Sequence, residues 1–240
     1  MNDSTKPVLF PGVTILSGIA GFSLRCWLFS AADLHGLLPK NHIAGTLSFV
    51  LLAVMLVLCL LEVRKAHLPQ DHSQLFPPSG FAAAGTLIGA LGMGYSAFTL
   101  TAKGFLQVIV PILGILSTLA LVLSAYSRWQ GLRPHCLLHG TVVIYLIFRT
   151  VAYCQVWGIE SQLQLYFFEL LACLLLLIAC YYRTELDVHT DHSRQYVFFS
   201  QAALFCCCMS LIGKDWLFYL SSAIYLATDY CVIFPKEQDT

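Results

Sequence analysis

The chain has 240 residues, of which 58% are hydrophobic and 11% are charged, and its mean hydropathy is +0.75. An ordinary soluble domain carries about 25% charged residues, so this composition excludes a water-soluble fold and indicates a membrane protein. The 13 basic and 13 acidic residues cancel, which removes the electrostatic case for binding nucleic acid or for a polybasic membrane-surface protein.

Apolar segments long enough to cross a bilayer follow one another along the whole chain. A hydrocarbon core of about 30 Å needs about 20 apolar residues in a helix. The segments that meet this length are 8–30, 43–63, 81–100, 105–126, 137–157, 163–182, 196–212 and 216–234. We therefore predict an all-α polytopic protein with about eight transmembrane helices in one membrane domain, residues 1–240, with the lipid bilayer as its surroundings.

Three short sequence matches recur in the same order in the two halves of the chain. An arginine follows a large apolar residue in the first and fifth spans, Asp-His-Ser follows the second and sixth, and a lysine opens the fourth and eighth. The matched positions are Leu24-Arg25 with Phe148-Arg149, 71–73 with 191–193, and Lys103 with Lys214. Self-similar halves indicate a duplication, so we predict a parallel four-plus-four repeat of residues 1–126 and 127–240.

Lysines and arginines of the predicted loops fall mainly on one side of the membrane. That side holds Lys6, Arg64, Lys65, Arg128, Arg133, Arg183, Arg194 and Lys236, and the other side holds Lys40, Lys103 and Lys214. Loops rich in basic residues are retained in the cytoplasm. We therefore predict that both termini are cytoplasmic.

Ionisable residues inside the predicted spans are the first candidates for a functional site, because an unpaired charge in the membrane costs several kcal/mol. Arg149 and Glu169 lie at similar depth in the fifth and sixth spans, which form a hairpin. We predict that these two residues form an ion pair in the outer half of the membrane. Tyr145 and Tyr153 lie one helical turn on either side of Arg149 and share its face.

Arg25 and Asp229 are the other ionisable residues of the spans. Arg25 has no partner in its own helix, and Glu169 or Asp33 are its candidate partners. Asp229 lies beside Thr228 and is predicted to be a lone intramembrane acid. It is interpreted either as a proton or cation carrier or, the favoured alternative, as a hydrogen-bonded acid near the inner interface.

Glycines and alanines dominate the third span, with glycines at 85, 89, 92 and 94. Such a surface lets a second helix approach closely, so we predict that the third span is central and packs tightly. The chain also has 10 cysteines, all in or beside apolar runs, which indicates packing residues.

No motif for a nucleotide, a catalytic serine elbow or a zinc site occurs, and we predict neither a cofactor nor a metal. The predicted cytoplasmic loops contain histidines and aspartates, at spacings that match no zinc signature. These residues are His67, Asp71, His72, His189, Asp191 and His192.

The segment from Leu24-Arg25-Cys26-Trp27 through Asp33 and Gly36-Leu37-Leu38-Pro39 to His42 resembles a group of small bacterial multi-pass membrane proteins that carry no assigned activity. The resemblance implies a bacterial cytoplasmic membrane and adds interest to Arg25 and Asp33. It implies no reaction, ligand or cofactor.

Three classes of function fit this sequence. We favour a carrier or ligand-binding membrane protein, in which an outward-facing polar site of Arg25, Asp33, Arg149 and Glu169 holds a small anionic ligand or a lipid headgroup. The second class is an accessory protein of a larger complex, in which the same charges form a closed structural network. An intramembrane enzyme acting on lipid is the third class, and it requires an acid and a base that converge at one depth.

Overall fold

The computed structural model describes residues 10–31, 42–65, 75–100, 103–157, 163–188 and 192–233. In these ranges the chain forms helices and no strands. The helices are α1 (Phe10–Ser30), α2 (Ile43–Lys65), α3 (Gly80–Thr99), α4 (Leu106–Trp129), α5 (Cys136–Trp157), α6 (Leu163–Leu186), α7 (Ser193–Met209) and α8 (Trp216–Ile233). Eight helices are long and apolar enough to span a membrane, which confirms the predicted all-α class and the predicted number of spans.

The boundaries of α3 and α4 follow from local chemistry. Ser79 caps α3, because its side chain accepts a hydrogen bond from the backbone N–H of Ala82 at 3.4 Å. Gly104 and Gly131 flank α4 with φ angles of 62° and 70°, a left-handed conformation that glycine adopts without steric cost. The short 3-10 turn Ser210–Ile212 continues α7, so this span reaches the length of its neighbours.

Contacts between helix ends show that consecutive helices alternate in direction. Arg149, late in α5, contacts both Ser96, late in α3, and Asp215, which precedes α8. Arg128, late in α4, instead meets Asp229, late in α8. We call the end of the bundle where α1 begins and α8 ends the near end, and we call the opposite end the far end.

Helix α7 is the most enclosed helix in the described part of the bundle. It packs against α1, α2, α6 and α8, so side chains all around its axis are buried. This position explains why Cys206, Cys207 and Cys208 are all buried although they point in three directions. The predicted packing role is confirmed for the six buried cysteines, which are Cys59, Cys173, Cys180 and these three.

Helix α3 lies against α4 and α8, and its glycines make this approach possible. A β-carbon at Gly85 would overlap the side chain of Thr228, and one at Gly92 would overlap Ser221. The small-residue packing surface is therefore confirmed. The prediction that the third span is central is wrong, because α7 and α8 are more deeply buried than α3.

The two halves of the chain do not pack in the same way. Helix α6 packs along α7, whereas α2 and α3, which would be their counterparts in a duplication, make at most marginal contact in the described ranges. Similarly, α3 packs along α8, but α7 has no comparable contact with α4. The four-plus-four repeat is therefore not confirmed.

Candidate functional site

Arg149 at the far end is completely buried and has four hydrogen-bond acceptors. Its guanidinium group donates to Ser96 Oγ at 3.1 Å, to the hydroxyls of Tyr145 and Tyr153 at 3.4 and 3.3 Å, and to Asp215 Oδ2 at 3.1 Å. The prediction that the two tyrosines lie on the face of Arg149 is confirmed. The predicted ion pair with Glu169 is wrong, because the ion-pair partner of Arg149 is Asp215.

The Glu169 carboxylate interacts electrostatically with Arg25, Arg149 and Lys214. It also packs against Gly213, where a β-carbon would overlap it. Of the two partners proposed for Arg25, Glu169 is therefore the one that the structure describes, and it is near enough to both arginines to interact with them.

Arg25 is also held by the backbone and by aromatic rings. Its Nη1 donates to the carbonyl of Met209 at 2.9 Å, and its guanidinium lies 5.3 Å from the ring centre of Phe168. Asp33, the other predicted partner, lies outside the described residues. We call Arg25, Arg149, Glu169 and Asp215 the far-end cluster.

Asp229 at the near end has three partners. Its Oδ1 forms a buried ion pair with Arg128 Nη1, and its Oδ2 accepts a hydrogen bond of 2.8 Å from the hydroxyl of Tyr196. Nη1 of Arg183 lies 4.0 Å from the same Oδ2. The prediction of a lone carboxylate is therefore wrong, and the favoured alternative, a hydrogen-bonded acid, is confirmed.

Three side chains from successive helices form a hydrogen-bonded chain beside this ion pair. Ser124 Oγ in α4 lies 3.1 Å from Nε2 of His139 in α5. Nδ1 of the same ring lies 2.6 Å from Oδ2 of Asp187, the residue that follows α6. The three residues are 3%, 1% and 6% exposed, so water does not compete strongly for these hydrogen bonds.

Arg183 joins the hydrogen-bonded chain to the ion pair. It lies one helical turn before Asp187, with Nε 4.0 Å from Asp187 Oδ1, and it also faces Asp229. The ring of Phe76 lies against both arginines, with its centre 3.3 Å from the Arg183 guanidinium carbon and 5.0 Å from that of Arg128. We call the following residues the near-end cluster: Ser124, Arg128, His139, Arg183, Asp187, Tyr196 and Asp229.

The near-end cluster has more hydrogen-bond donors than acceptors. Nε and Nη2 of Arg128, and Nε and Nη1 of Arg183, are buried without a hydrogen-bond acceptor in the described structure. The formal charges nevertheless cancel when His139 is neutral, because two arginines face Asp187 and Asp229. The cluster therefore offers free N–H groups without a net charge.

The sequence analysis missed most of this cluster. It selected neither Ser124, His139 nor Asp187, and it counted Arg128 and Arg183 as loop charges. The predicted spans ended at residues 126 and 182, whereas α4 continues to Trp129 and α6 to Leu186. Had the longer helices been predicted, a spacing of four residues would have indicated the cluster. Ser124 and Arg128 share one face of α4, and Arg183 and Asp187 share one face at the end of α6.

The histidines that were considered as metal ligands fall mostly outside the described residues. Of them only His192 is described, with Nε2 3.7 Å from Glu185 Oε2. Among the described residues, no group of three or more histidine, cysteine, aspartate or glutamate side chains is arranged to hold a metal ion.

Comparison of the chain with protein-family models, with curated proteins and with solved structures finds no match. The resemblance of the segment from Leu24 to His42 to small bacterial membrane proteins stays a prediction.

Proposed function

We propose that this protein is an integral membrane enzyme that cleaves lipid esters by nucleophilic attack from Ser124. The observation that carries the proposal is the chain of hydrogen bonds from Ser124 through His139 to Asp187. A hydroxyl within reach of an imidazole, with the other ring nitrogen bound to a carboxylate, is the arrangement by which serine enzymes of unrelated folds activate their nucleophile.

Each residue has a definite role in this proposal. His139 Nε2 accepts the proton of the Ser124 hydroxyl as the oxygen attacks, and later donates it to the leaving group. Asp187 accepts a hydrogen bond from Nδ1–H of His139, which fixes the ring orientation and stabilises the imidazolium that forms. The distances of 3.1 and 2.6 Å are within the range that these proton transfers require.

The depth of the three residues supports a lipid substrate. Ser124 precedes Trp129, the last residue of α4, by about 7.5 Å along the helix axis, and His139 follows Cys136, the first residue of α5, by about 4.5 Å. The near-end cluster is therefore close to the level where the hydrocarbon core meets the headgroups. The ester bonds of glycerolipids lie at this level.

The competing role of the near-end cluster is structural. A buried, charge-balanced set of side chains also ties helices together in membrane proteins, and the burial of Ser124 at 3% exposure fits that role. The difference between the two roles is testable, because a structural cluster has no turnover and an enzyme does.

The test is hydrolysis of a micellar ester, 4-nitrophenyl butyrate, by the purified protein. We expect Ser124→Ala and His139→Gln each to lower kcat/KM by a factor of about 10³ or more. The matched control is Ser117→Ala, since Ser117 is a fully buried serine on α4 whose hydroxyl contacts the sulfur of Met93. Turnover that is equal in all four proteins, or absent from the unaltered chain, contradicts the proposal.

The far-end cluster gives less support to the outward-facing ligand site that the sequence favoured. The guanidinium of Arg149 has acceptors on four side chains, and the Glu169 carboxylate already interacts electrostatically with it and with Arg25. We therefore propose that Arg25, Arg149 and Glu169 act in the second way considered, as a closed structural network. Binding of an anionic ligand there with the help of Asp33 stays the alternative.

Orientation and location belong to the proposal as well. We infer that both termini lie in the cytoplasm of a bacterial cell. The predicted inner side has six basic residues when the buried Arg128 and Arg183 are not counted, and the other side has three. Loops rich in basic residues are retained in the cytoplasm. Reporter fusions after Lys103 and Lys214 test this orientation, since a cytoplasmic signal at both would reverse it. We keep the parallel repeat as a proposal only because Arg25 and Arg149 both lie at the far end of the bundle.

A further inference from the structure

The donors and the charges of the near-end cluster together restrict the chemistry of its substrate. Arg128 has Nε and Nη2 free of acceptors although the residue is only 5% exposed. A buried N–H of a charged group that lacks an acceptor is costly, so a bound group that accepts these hydrogen bonds is stabilised.

The charge balance distinguishes two kinds of acceptor. Among the described residues, Arg128 and Arg183 are matched by Asp187 and Asp229, so a phosphate would bring a negative charge that no further buried cation of this part of the chain balances. The carbonyl oxygen of a carboxylic ester accepts the same hydrogen bonds and carries no charge. It becomes an oxyanion only when Ser124 attacks.

The cluster stays neutral through such a reaction. When the Ser124 oxygen bonds to the carbonyl carbon, its proton moves to His139, so the negative oxyanion and the positive imidazolium appear in the same step. A fixed N–H donor that points at the developing oxyanion is a large source of stabilisation in enzymes. Arg128 is suited to that role, because it lies one turn from Ser124 on the same face of α4.

Arg183 is less suited as the oxyanion donor. It lies 4.0 Å from both Asp187 and Asp229 and its guanidinium rests on the ring of Phe76 at 3.3 Å. These contacts fix it between the hydrogen-bonded chain and the ion pair. Of these two acids, Arg128 is paired only with Asp229 in the described structure.

We infer that the substrate is an uncharged carboxylic ester and that Arg128 Nε and Nη2 hold its carbonyl oxygen. This inference rests on the proposed function of Ser124. In the first step the Ser124 Oγ–carbon bond forms, the ester carbon–oxygen bond breaks, and the alcohol leaves with the proton from His139. Water then attacks the acyl-serine and gives a proton to His139, the Ser124 Oγ–carbon bond breaks, and His139 returns that proton to Oγ as the carboxylic acid leaves.

The first arm of the test compares two substrates with the unaltered full-length protein in detergent micelles. The neutral carboxylic ester is 4-nitrophenyl butyrate and the anionic phosphodiester is bis(4-nitrophenyl) phosphate, which release the same chromophore. We expect turnover of the carboxylic ester and none of the phosphodiester. Faster turnover of the phosphodiester overturns the inference. This arm needs no variant, so it does not depend on how a variant folds.

The second arm uses Arg128→Lys, which keeps a positive charge beside Asp229 and removes the forked guanidinium. We expect kcat for 4-nitrophenyl butyrate to fall by a factor of about 10² to 10³, with KM changed less than about threefold. Arg133→Lys is the matched control, because Arg133 lies at the same end and donates to the Leu186 carbonyl at 3.2 Å. We expect this control to retain kcat within about twofold.

The outcomes separate this inference from the proposed function. If Ser124→Ala does not lower ester turnover, the proposed function fails and the inference fails with it. If turnover depends on Ser124 but Arg128→Lys leaves kcat unchanged, Ser124 remains the proposed nucleophile and the oxyanion role of Arg128 is overturned.

Discussion

The two ends of the bundle accommodate buried arginines in different ways. Both bury arginines beside carboxylates at the level where the spans end. At the far end, Arg149 has acceptors on four side chains, and only its Nε is buried without one in the described structure. At the near end, Arg128 and Arg183 keep free N–H groups beside a serine, a histidine and an aspartate in hydrogen-bonded series.

This contrast shows that a buried charge alone does not locate a functional site in a membrane protein. Selection of charged residues by depth in the sequence reached Arg25, Arg149 and Glu169 of the far-end cluster, but only Asp229 of the near-end cluster. Donors that remain unmatched, and a nucleophile that touches a base, are the features that distinguish the near-end cluster. The account therefore predicts that far-end substitutions affect folding and near-end substitutions affect chemistry.

The largest effect on stability is expected at Asp215. Asp215→Asn removes the ionic partner of the fully buried Arg149, and an unpaired buried charge typically costs about 3 to 5 kcal/mol. We expect a large loss of folded protein and a lower melting temperature in detergent. The exposed neighbour Lys214 supplies the control Lys214→Gln, which should shift stability by less than about 0.5 kcal/mol. Equal effects of the two substitutions would show that the ion pair is not structural.

A smaller effect is expected where Glu169 meets the backbone. Gly213→Ala places a β-carbon where the Glu169 carboxylate lies, so the carboxylate must move. Because this carboxylate is the end of a flexible side chain, we expect a cost at the low end of the range for overpacking, about 1 kcal/mol. Gly80→Ala is the control, because a β-carbon there meets nothing within 4 Å. A melting temperature for Gly213→Ala as high as that of the control would place Glu169 elsewhere.

The smallest effect on stability is expected at Ser124, although its effect on turnover is large. Ser124→Ala removes one hydrogen bond to His139, which is worth about 0.5 to 1.5 kcal/mol. We expect a melting temperature close to that of Ser117→Ala. A loss comparable to that of Asp215→Asn would assign Ser124 to the structural framework and remove the contrast between the ends.

Much of the fold was predictable because length and hydropathy alone define membrane spans. The eight predicted segments agree with the observed helices to within two residues except at the near ends of α4, α6 and α7. In α4 and α6 the predicted spans stopped before Arg128 and Arg183, because arginine side chains are ordinarily exposed to water. Tertiary pairing with Asp229 lets both helices continue, and pairing between distant helices is not visible in a local window.

The candidate site was less predictable for the same reason. The burial of Arg149, Glu169 and Asp229 followed from their positions in apolar runs and is confirmed. The predicted partner of Arg149 was wrong. Glu169 was predicted because the fifth and sixth spans form a hairpin, whereas the observed partner, Asp215, lies in the turn before α8. The hydrogen-bonded chain could not be found at all, because its serine, histidine and aspartate come from three helices with no fixed spacing.

The most direct measurement of the central claim is covalent labelling of the purified protein by a fluorophosphonate, which reacts with an activated serine hydroxyl. The account predicts a single adduct by intact mass, located on Ser124 by peptide mapping and absent from Ser124→Ala. His139→Gln should slow labelling by a factor of about 10² or more, because the hydroxyl then lacks its base. No adduct on Ser124, or an adduct that forms equally fast in His139→Gln, would contradict the account.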